Sequence, residues 1–315
     1  MKKNLFLTTI TAIAVTVAFV SCQQDEHEPN SNSRMEARFS TNIVKETPLA
    51  TRAAGDKWHE NDSIGIFMFE EQYTNVVEGM GNVKYTTEDG GKTGEFTATD
   101  KIIYFPDNGA KVRFMSYYPY TENIENNIYK VDVSDQTNQP AIDLLYSFND
   151  AAKYDKTSPD KKVSLVFDHM LTKININIKA GDGLEDSDLD NIEVYFEGFN
   201  TEVNFNLISG SLSEPSDISN IIPAKITKKE EYYVSYEAII IPTEDPRSAK
   251  IVFDLQNGNE GEPSKSDVFT WKFNNVNLIK GTEYTYNVTI SRSGIVVEAI
   301  INDWAPGGEN NITAE

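Results

Sequence analysis

Cys22 is the residue whose chemical role is clearest from the neighbouring sequence, because it follows an apolar segment near the start of the chain. Two lysines precede an apolar run from Leu5 to Val20, and the small residue Ser21 stands directly before Cys22. A basic start, an apolar stretch and a small residue before the cut are the parts of a secretory signal peptide. The apolar run of about 16 residues is shorter than the roughly 20 that span a bilayer, which disfavours a transmembrane helix. The sequence therefore predicts a signal peptide over residues 1–21 and a lipid on Cys22, the chain's single cysteine.

Residues suited to catalysis are sparse. His27 lies in a polar stretch, His59 follows Trp58, and His169 stands in an apolar context that favours burial. The chain has no G-x-S-x-G, H-E-x-x-H or P-loop motif, so the common hydrolase and nucleotide-binding signatures are absent. We predict no catalytic residues, no cofactor and a hydrogen-bonded structural role for His169. An exported glycosidase stays open, because it needs only two carboxylates that meet in space.

One acidic segment resembles a calcium-binding loop. Asp186, Asp188, Asp190 and Glu197 occupy positions 1, 3, 5 and 12 of that pattern. However, residues 192–197 alternate like a strand, which would carry Glu197 roughly 20 Å from Asp190. We therefore expect an acidic solvated turn and no metal site, with weak cation binding by the three aspartates as the alternative.

The three tryptophans are the candidates for stacking on a sugar ring. Trp271 alternates within a predicted strand and is expected in the core, whereas Trp58 and Trp304 flank strands near opposite ends of the chain. Contact with a glycan through Trp58 or Trp304 is one reading, and packing at the edge of a sheet is the other.

The overall charge restricts the partners. The formal net charge is −21 at pH 7, which repels nucleic acid and argues against a phosphate-backbone partner. Residues 22–34 begin with a stretch, from Gln23 to Asn32, that has no apolar side chain and cannot fold by burial. We predict a flexible tether over 22–34 and partners that are proteins or carbohydrates.

The rest of the chain is composed of predicted strands. Short segments rich in β-branched and aromatic residues are separated by Gly, Asn, Asp or Pro, and none has helical spacing. Short helical turns fit only near residues 149–155 and 182–190. A polar, lysine-containing stretch from Asn149 to Lys162 marks a boundary. The sequence thus predicts an all-β protein with two tandem antiparallel β-sandwich domains, over 35–157 and 158–315.

The first predicted strand has a loop directly behind it. Alternating apolar residues from Met35 to Ile43 predict a half-buried strand over 35–44. A segment of small and polar residues with Pro48 and Gly55 follows, and its most accessible basic residue is Arg52. Exposed loops of this composition are where proteases cut.

The chain resembles the Mfa-like fimbrillin family of Bacteroidales along nearly its whole length. The resemblance lies in the order and spacing of these motifs: Cys22, Thr51-Arg52-Ala53, Trp58-His59-Glu60-Asn61-Asp62, Tyr117-Tyr118-Pro119, Phe167-Asp168-His169-Met170, Lys280-Gly281-Thr282-Glu283-Tyr284 and Ile301-Asn302-Asp303-Trp304.

This resemblance implies a pilus subunit with transthyretin-like domains that is exported as a lipoprotein, cut by an arginine-specific protease and polymerised by strand exchange. Carried over to this chain, the cut would lie between Arg52 and Ala53 and would release the lipid together with strand 35–44. A strand donated by another copy or a related subunit would fill the groove. The candidate donor residues, which share one face of a strand, are Ile295, Val297, Ala299 and Ile301.

Several alternatives stay open at this stage. The segment from Ile295 to Trp304 can instead complete its own C-terminal sheet, and Arg34 or Arg38 can be the cut site. The family also contains lipid-retaining anchor subunits and tip subunits. A surface-exposed lipoprotein that keeps its anchor in the outer membrane and binds host or bacterial glycans is the second class of function.

Overall fold

The computed structural model describes residues 34–43, 57–72, 75–148, 153–158, 162–257, 265–274, 276–304 and 309–310. The chain is all-β, as predicted. The strands in chain order are β1 (Arg38–Ile43), β2 (Ser63–Glu70), β3 (Val83–Thr87), β4 (Thr93–Ala98), β5 (Val112–Tyr118), β6 (Ile128–Asp132), β7 (Leu145–Phe148), β8 (Lys162–His169), β9 (Thr172–Ala180), β10 (Ile192–Glu197), β11 (Asn200–Asn206), β12 (Ser211–Ile218), β13 (Ala224–Ile226), β14 (Val234–Ile240), β15 (Lys250–Asn257), β16 (Lys265–Lys272), β17 (Thr282–Ser291), β18 (Gly294–Asp303) and β19 (Glu309–Asn310).

The N-terminal strands close into a barrel in the order β1-β4-β3-β2-β5-β7-β8. The sequence predicts a sandwich here, and the barrel forms because β1 pairs with β4 on one side and with β8 on the other. Its interior is filled by a cluster rich in aromatic residues, among them Phe39, Tyr85 and Phe114.

The remaining strands form open sheets around a second core. The orders are β13-β14-β9-β17-β18-β19, β10-β15-β16 and β12-β11-β6. Inward side chains such as Ile176, Phe196, Phe253 and Tyr286 come from different sheets and belong to one buried cluster. Strand β17 shows how one face of a sheet contributes to this core. Its buried face consists of Tyr284, Tyr286, Val288 and Ile290, and most of the residues between them are more exposed.

Strand pairing crosses the boundary expected at residues 157/158. β8 lies after that boundary in sequence but belongs to the barrel, and β6 lies before it but pairs with β11. Contacts between Cα atoms group Arg34–Glu315 as one compact unit.

Helical structure in the described residues is brief. A 3₁₀ turn at Asp186–Leu189 falls in one of the two ranges expected to allow it. The sequence analysis misses a second 3₁₀ turn at Pro246–Ser248 and a one-turn helix, α1 (Gln139–Ile142). No helix in the described part of the chain combines the length and the apolar character needed to cross a bilayer.

Candidate functional site

Strand β1 closes the barrel. It runs antiparallel to β4, with Phe39 opposite Phe96, and parallel to β8, with Phe39 beside Val163. Backbone N–H and C=O groups on both sides of β1 therefore have ladder partners. Loss of this strand would leave one edge of β4 and one edge of β8 without theirs.

The inward side chains of β1 fill the centre of the barrel. Phe39 and Ile43 of β1 are buried, as is Ala37 directly before the strand, whereas Arg38 and Asn42 on the other face are exposed. The half-buried strand predicted over 35–44 is present over Arg38–Ile43, and residue 44 lies outside the described residues.

Phe39 makes the most specific of these contacts. Its ring meets Tyr85 and Phe114 edge to face, with centroids 5.0 and 5.2 Å apart. Edge-to-face pairs at this distance add to the stabilisation that burial supplies. The Tyr85 hydroxyl accepts a hydrogen bond from the Ile103 backbone N–H at 2.9 Å, and burial raises the pKa of Tyr85 to about 12.

A tight polar contact lies farther along β1. The Thr41 hydroxyl donates to the Gly94 carbonyl oxygen at 3.1 Å, and Thr41 is 1% exposed. A Cβ at Gly94 would lie 2.7 Å from the Phe96 ring and 2.9 Å from both Thr41 Oγ1 and Trp58 Cδ1. Glycine is needed here because the backbone of β4 passes close to these side chains.

The predicted lipidation and cleavage residues lie outside the described residues. Cys22, Arg52 and Ala53 fall in ranges whose placement the structure does not describe. The described chain stops at Ile43, the last residue of β1, and resumes at Lys57.

The candidate donor residues occupy the C-terminal sheet of their own chain. β18 pairs with β17 antiparallel over its whole length, from Ser291 opposite Gly294 to Thr282 opposite Asp303. The residues predicted to share one face are half-buried and pack against the second core, namely Ile295, Val297, Ala299 and Ile301. Of the two readings left open, self-completion of the sheet is the arrangement in this structure.

A buried polar cluster holds the end of β18. The Trp304 ring stacks on the His169 ring with centroids 3.9 Å apart, and the backbone N–H of Trp304 donates to the Gly281 carbonyl oxygen at 2.7 Å. His169 Nδ1 is hydrogen-bonded to Asp143 Oδ1 at 2.9 Å, and both side chains are buried. The prediction of a hydrogen-bonded structural His169 is confirmed.

A buried ion pair lies next to this stack. Lys173 Nζ is 3.0 Å from Glu237 Oε2 and 6.0 Å from the centre of the Trp304 ring. The sequence analysis misses this pair, since a charge in an alternating strand normally indicates the wet face. The signal that could have found it is Lys173 within Leu171-Thr172-Lys173-Ile174, directly after an apolar stretch.

The tryptophans do not present stacking faces. Trp58 is 2% exposed and its ring meets Phe96, Tyr118 and Phe167 edge to face. Trp304 is covered on one face by His169, and Trp271 is half-buried in β16 against Tyr286. The reading as packing residues is the one that the structure supports.

The calcium-like pattern is split between two elements. Asp186 and Asp188 lie in the 3₁₀ turn, and Asp190 accepts a hydrogen bond from the Tyr233 hydroxyl. Glu197 ends β10 and pairs with Lys250 at 2.6 Å. Within the described ranges, no three His, Cys, Asp or Glu side chains are grouped so that they could hold a metal ion.

Comparison with known proteins gives a consistent result. A family model described as fimbrillin-like matches residues 51–304. A Bacteroides uniformis protein named as a candidate fimbrium subunit, Fim1C, is 33% identical over 318 residues, which cover 98% of this chain and 97% of that protein.

Solved structures agree with this match. A candidate cell adhesion protein from Bacteroides uniformis is 31% identical with a TM-score of 0.70, covering 88% of this chain and 100% of its own. A candidate cell adhesion protein from Bacteroides ovatus has a TM-score of 0.65 over the same shares of the two chains. At 22% identity, this second likeness shows the fold alone.

Proposed function

Because the chain belongs to the fimbrillin-like family, we propose that it is a structural subunit of a surface fimbrium that assembles by proteolysis-triggered strand exchange. In this proposal it is exported as a lipoprotein through residues 1–21 and is held at the outer membrane by a lipid on Cys22 until it is cut. Its partners are other copies or related fimbrial subunits, and the fibre supports adhesion.

The observation that carries the proposal is the position of β1. This strand is the N-terminal element of the barrel, it lies between β4 and β8, and the segment that contains Arg52 follows it. A single cut there separates β1 covalently from the rest of the barrel. A strand that pairs on both sides in the barrel but comes before every other barrel strand in sequence is suited to replacement by an equivalent strand.

The energetics favour replacement over an empty groove. Loss of β1 would uncover the apolar surface against which Ala37, Phe39 and Ile43 pack, together with the unpaired edges of β4 and β8. Exposing this surface and leaving buried backbone groups unpaired are both unfavourable. A donor strand with apolar residues at every second position restores both kinds of contact.

The candidate donor in the proposal is β18. Its residues Ile295, Val297, Ala299 and Ile301 alternate as the inward residues of β1 do. Donation requires β18 to leave β17, with which it pairs along its whole length. The loss of that pairing is offset only if an equivalent ladder forms in the barrel of the neighbouring subunit.

Two further features of the sequence fit this proposal. The acidic residues Asp25, Glu26 and Glu28 follow the lipidation site, as in export tags that carry lipoproteins to the cell surface. We also propose that the chain has two domains divided at 157/158. In this division, β8 follows the boundary in sequence but completes the N-terminal barrel.

The experiment is intact mass and N-terminal sequencing of the protein from the surface of its own cells, with an unboiled gel. The expected result is a mature N-terminus at Ala53 and a ladder of heat-sensitive multimers, both lost in Arg52→Ala. Arg34→Ala is the matched control and should assemble normally. A lipidated N-terminus at Cys22 with monomer alone would overturn the proposal and favour an anchor subunit or a glycan-binding lipoprotein.

A further inference from the structure

A small cavity lies at one end of the barrel, where the barrel meets α1. It measures about 20 Å³ and is lined by residues of both parts, including Trp58, Tyr118, Gln139 and Asp143. This volume is enough for one buried group of the size of a water molecule or a hydroxyl. An outer cleft of about 410 Å³ shares Tyr118 and three other residues with this cavity.

Gln139, one of the lining residues of the cavity, has an unpaired acceptor whose orientation is fixed. Gln136 accepts a hydrogen bond from the Ile239 N–H at 2.8 Å through Oε1, and that same oxygen accepts from Gln139 Nε2 at 2.8 Å. Reversing the Gln139 amide would place two oxygens against each other, so the network sets its orientation. Gln139 Oε1 is buried and has no hydrogen-bond partner.

Trp58, another lining residue of the cavity, has an unpaired donor. Its indole Nε1 is buried and finds no acceptor among the described residues. The backbone of Trp58 is fixed by two hydrogen bonds to Gly91, each 2.8 Å long, and its ring is held by three aromatic neighbours. The indole therefore cannot turn to find another partner without disrupting the barrel core.

These two unpaired atoms restrict the chemistry of a ligand. An unpaired buried polar atom costs roughly 1–3 kcal/mol, so a native site normally supplies a partner. A hydroxyl group accepts from an N–H and donates to a carbonyl oxygen, which satisfies both atoms at once. A carboxylate is disfavoured because it would be repelled by Asp62, Asp143 and the Gln139 oxygen. An ammonium group is disfavoured because it has no lone pair to accept a hydrogen bond from the indole N–H.

The outer cleft adds a surface for the rest of the ligand. Its walls combine the rings of Tyr118, Pro119 and Tyr120 with the amides of Asn61 and Asn138. Apolar rings beside a few polar groups are typical of small-molecule sites, and the volume lies in their usual range. Tyr118 is itself oriented, because its hydroxyl donates to Asp62 Oδ1 at 3.1 Å.

We propose that this cleft binds a neutral carbohydrate, with one sugar hydroxyl between Trp58 Nε1 and Gln139 Oε1 and the sugar ring in the outer cleft. The site does not require movement of β18, but Ile43 of β1 lines the inner cavity, so the cavity is complete only while β1 or an equivalent donated strand closes the barrel. Trp58 acts here through its indole N–H, not through its covered ring faces.

The test is a titration of the ¹⁵N-labelled full-length protein with galactose, glucose, mannose and N-acetylglucosamine, followed through the three indole N–H signals. The expected result is a saturable shift of the Trp58 signal at millimolar concentration of at least one sugar. Trp58→Phe removes the donor together with its reporter signal, so its affinity is read from the backbone amide signals of Tyr118 and Tyr120 in the cleft, and it should be weaker roughly fivefold to tenfold. Trp271 is not among the residues that line the cavity or the outer cleft, so Trp271→Phe is the matched control and should leave binding unchanged.

Gln139→Met is the second variant, and it decides the matter if Trp58→Phe does not fold. It removes the acceptor and should weaken the same sugar by a similar factor. A Trp58 signal that no sugar shifts means that the cavity holds a water only, and this overturns the proposal. Binding that is unchanged in both variants would also overturn it. Neither result bears on fimbrial assembly, which the multimer ladder reports separately.

Discussion

Truncation of Phe39 to alanine should destabilise the uncleaved protein and leave the assembled fibre unaffected. Phe39 is 1% exposed and packs edge to face on Tyr85 and Phe114. Removing a buried phenylalanine side chain costs about 3–5 kcal/mol through lost burial and the cavity left behind. For a protein of this size the midpoint of thermal unfolding should fall by roughly 5–10 °C.

The fibre provides the contrast. If β1 is removed on cleavage, Phe39 is absent from the mature subunit and its substitution cannot alter the contacts that hold the fibre together. The first assay is thermal unfolding of uncleaved protein, in which Phe39→Ala and the Phe39 reference both also contain Arg52→Ala. The second assay is the dissociation temperature of fibres on unboiled gels, in which both proteins keep Arg52. Val296→Ala, at a 63% exposed position, is the control for the unfolding arm and should change stability by less than about 0.5 kcal/mol.

Two results would refute this reasoning. An unfolding midpoint that does not fall in Phe39→Ala would show that β1 is not part of the stable barrel. Fibres that dissociate at a lower temperature in Phe39→Ala would show that β1 stays in the mature subunit. Phe39→Leu, a smaller truncation, serves if the alanine variant does not accumulate.

Three further predictions concern the scaffold. Lys173→Met should cost about 3–5 kcal/mol in urea unfolding, because Glu237 would be left buried without its cation, and adding Glu237→Leu should recover part of the loss. Gly94→Ala should cost about 1–3 kcal/mol in the same assay, because its Cβ would meet Phe96 and Thr41 closer than van der Waals contact allows. Burial raises the pKa of Tyr85 from 10.0 to about 12, so its neutral hydroxyl contributes stability that is intact below pH 10 and lost as the pH rises to 12. Tyr85→Phe should reduce this loss of stability at alkaline pH, as measured by pH-dependent unfolding. The variant should be less stable than the parent at neutral pH, because the Ile103 N–H loses its acceptor.

The strand pattern could be predicted from sequence because alternation is a local signal. Met35 to Ile43 and Tyr284 to Ile290 alternate clearly, and the strands β1 (Arg38–Ile43) and β17 lie in these segments with the expected face buried. Closure of the barrel could not be predicted in this way. It depends on parallel pairing between β1 and β8, which are more than 100 residues apart, and local periodicity contains no information about such partners.

The candidate carbohydrate site illustrates a different limit. Trp58 is evident in the sequence as an aromatic residue beside a histidine, and stacking on a sugar is the obvious hypothesis. The structure covers its ring faces and leaves the indole N–H unpaired. The partner atom belongs to Gln139, in a helical turn that the sequence analysis misses and in a region remote along the chain. Only the tertiary fold brings these two residues to one cavity.

The C-terminal strand shows why a sequence pattern cannot distinguish a donated strand from a retained one. The alternation of Ile295, Val297, Ala299 and Ile301 specifies that one face of β18 is buried, but it does not specify in which molecule. In this structure β17 supplies the ladder, and Trp304, stacked on His169, holds the end of the strand. Donation would therefore break a complete ladder and this stack, whereas the proposed cut after Arg52 would leave β1 held in the barrel only by its pairing and packing. The balance between the two states is set by what occupies the barrel groove of the neighbouring subunit, and β18 should leave its own sheet only when that groove is empty.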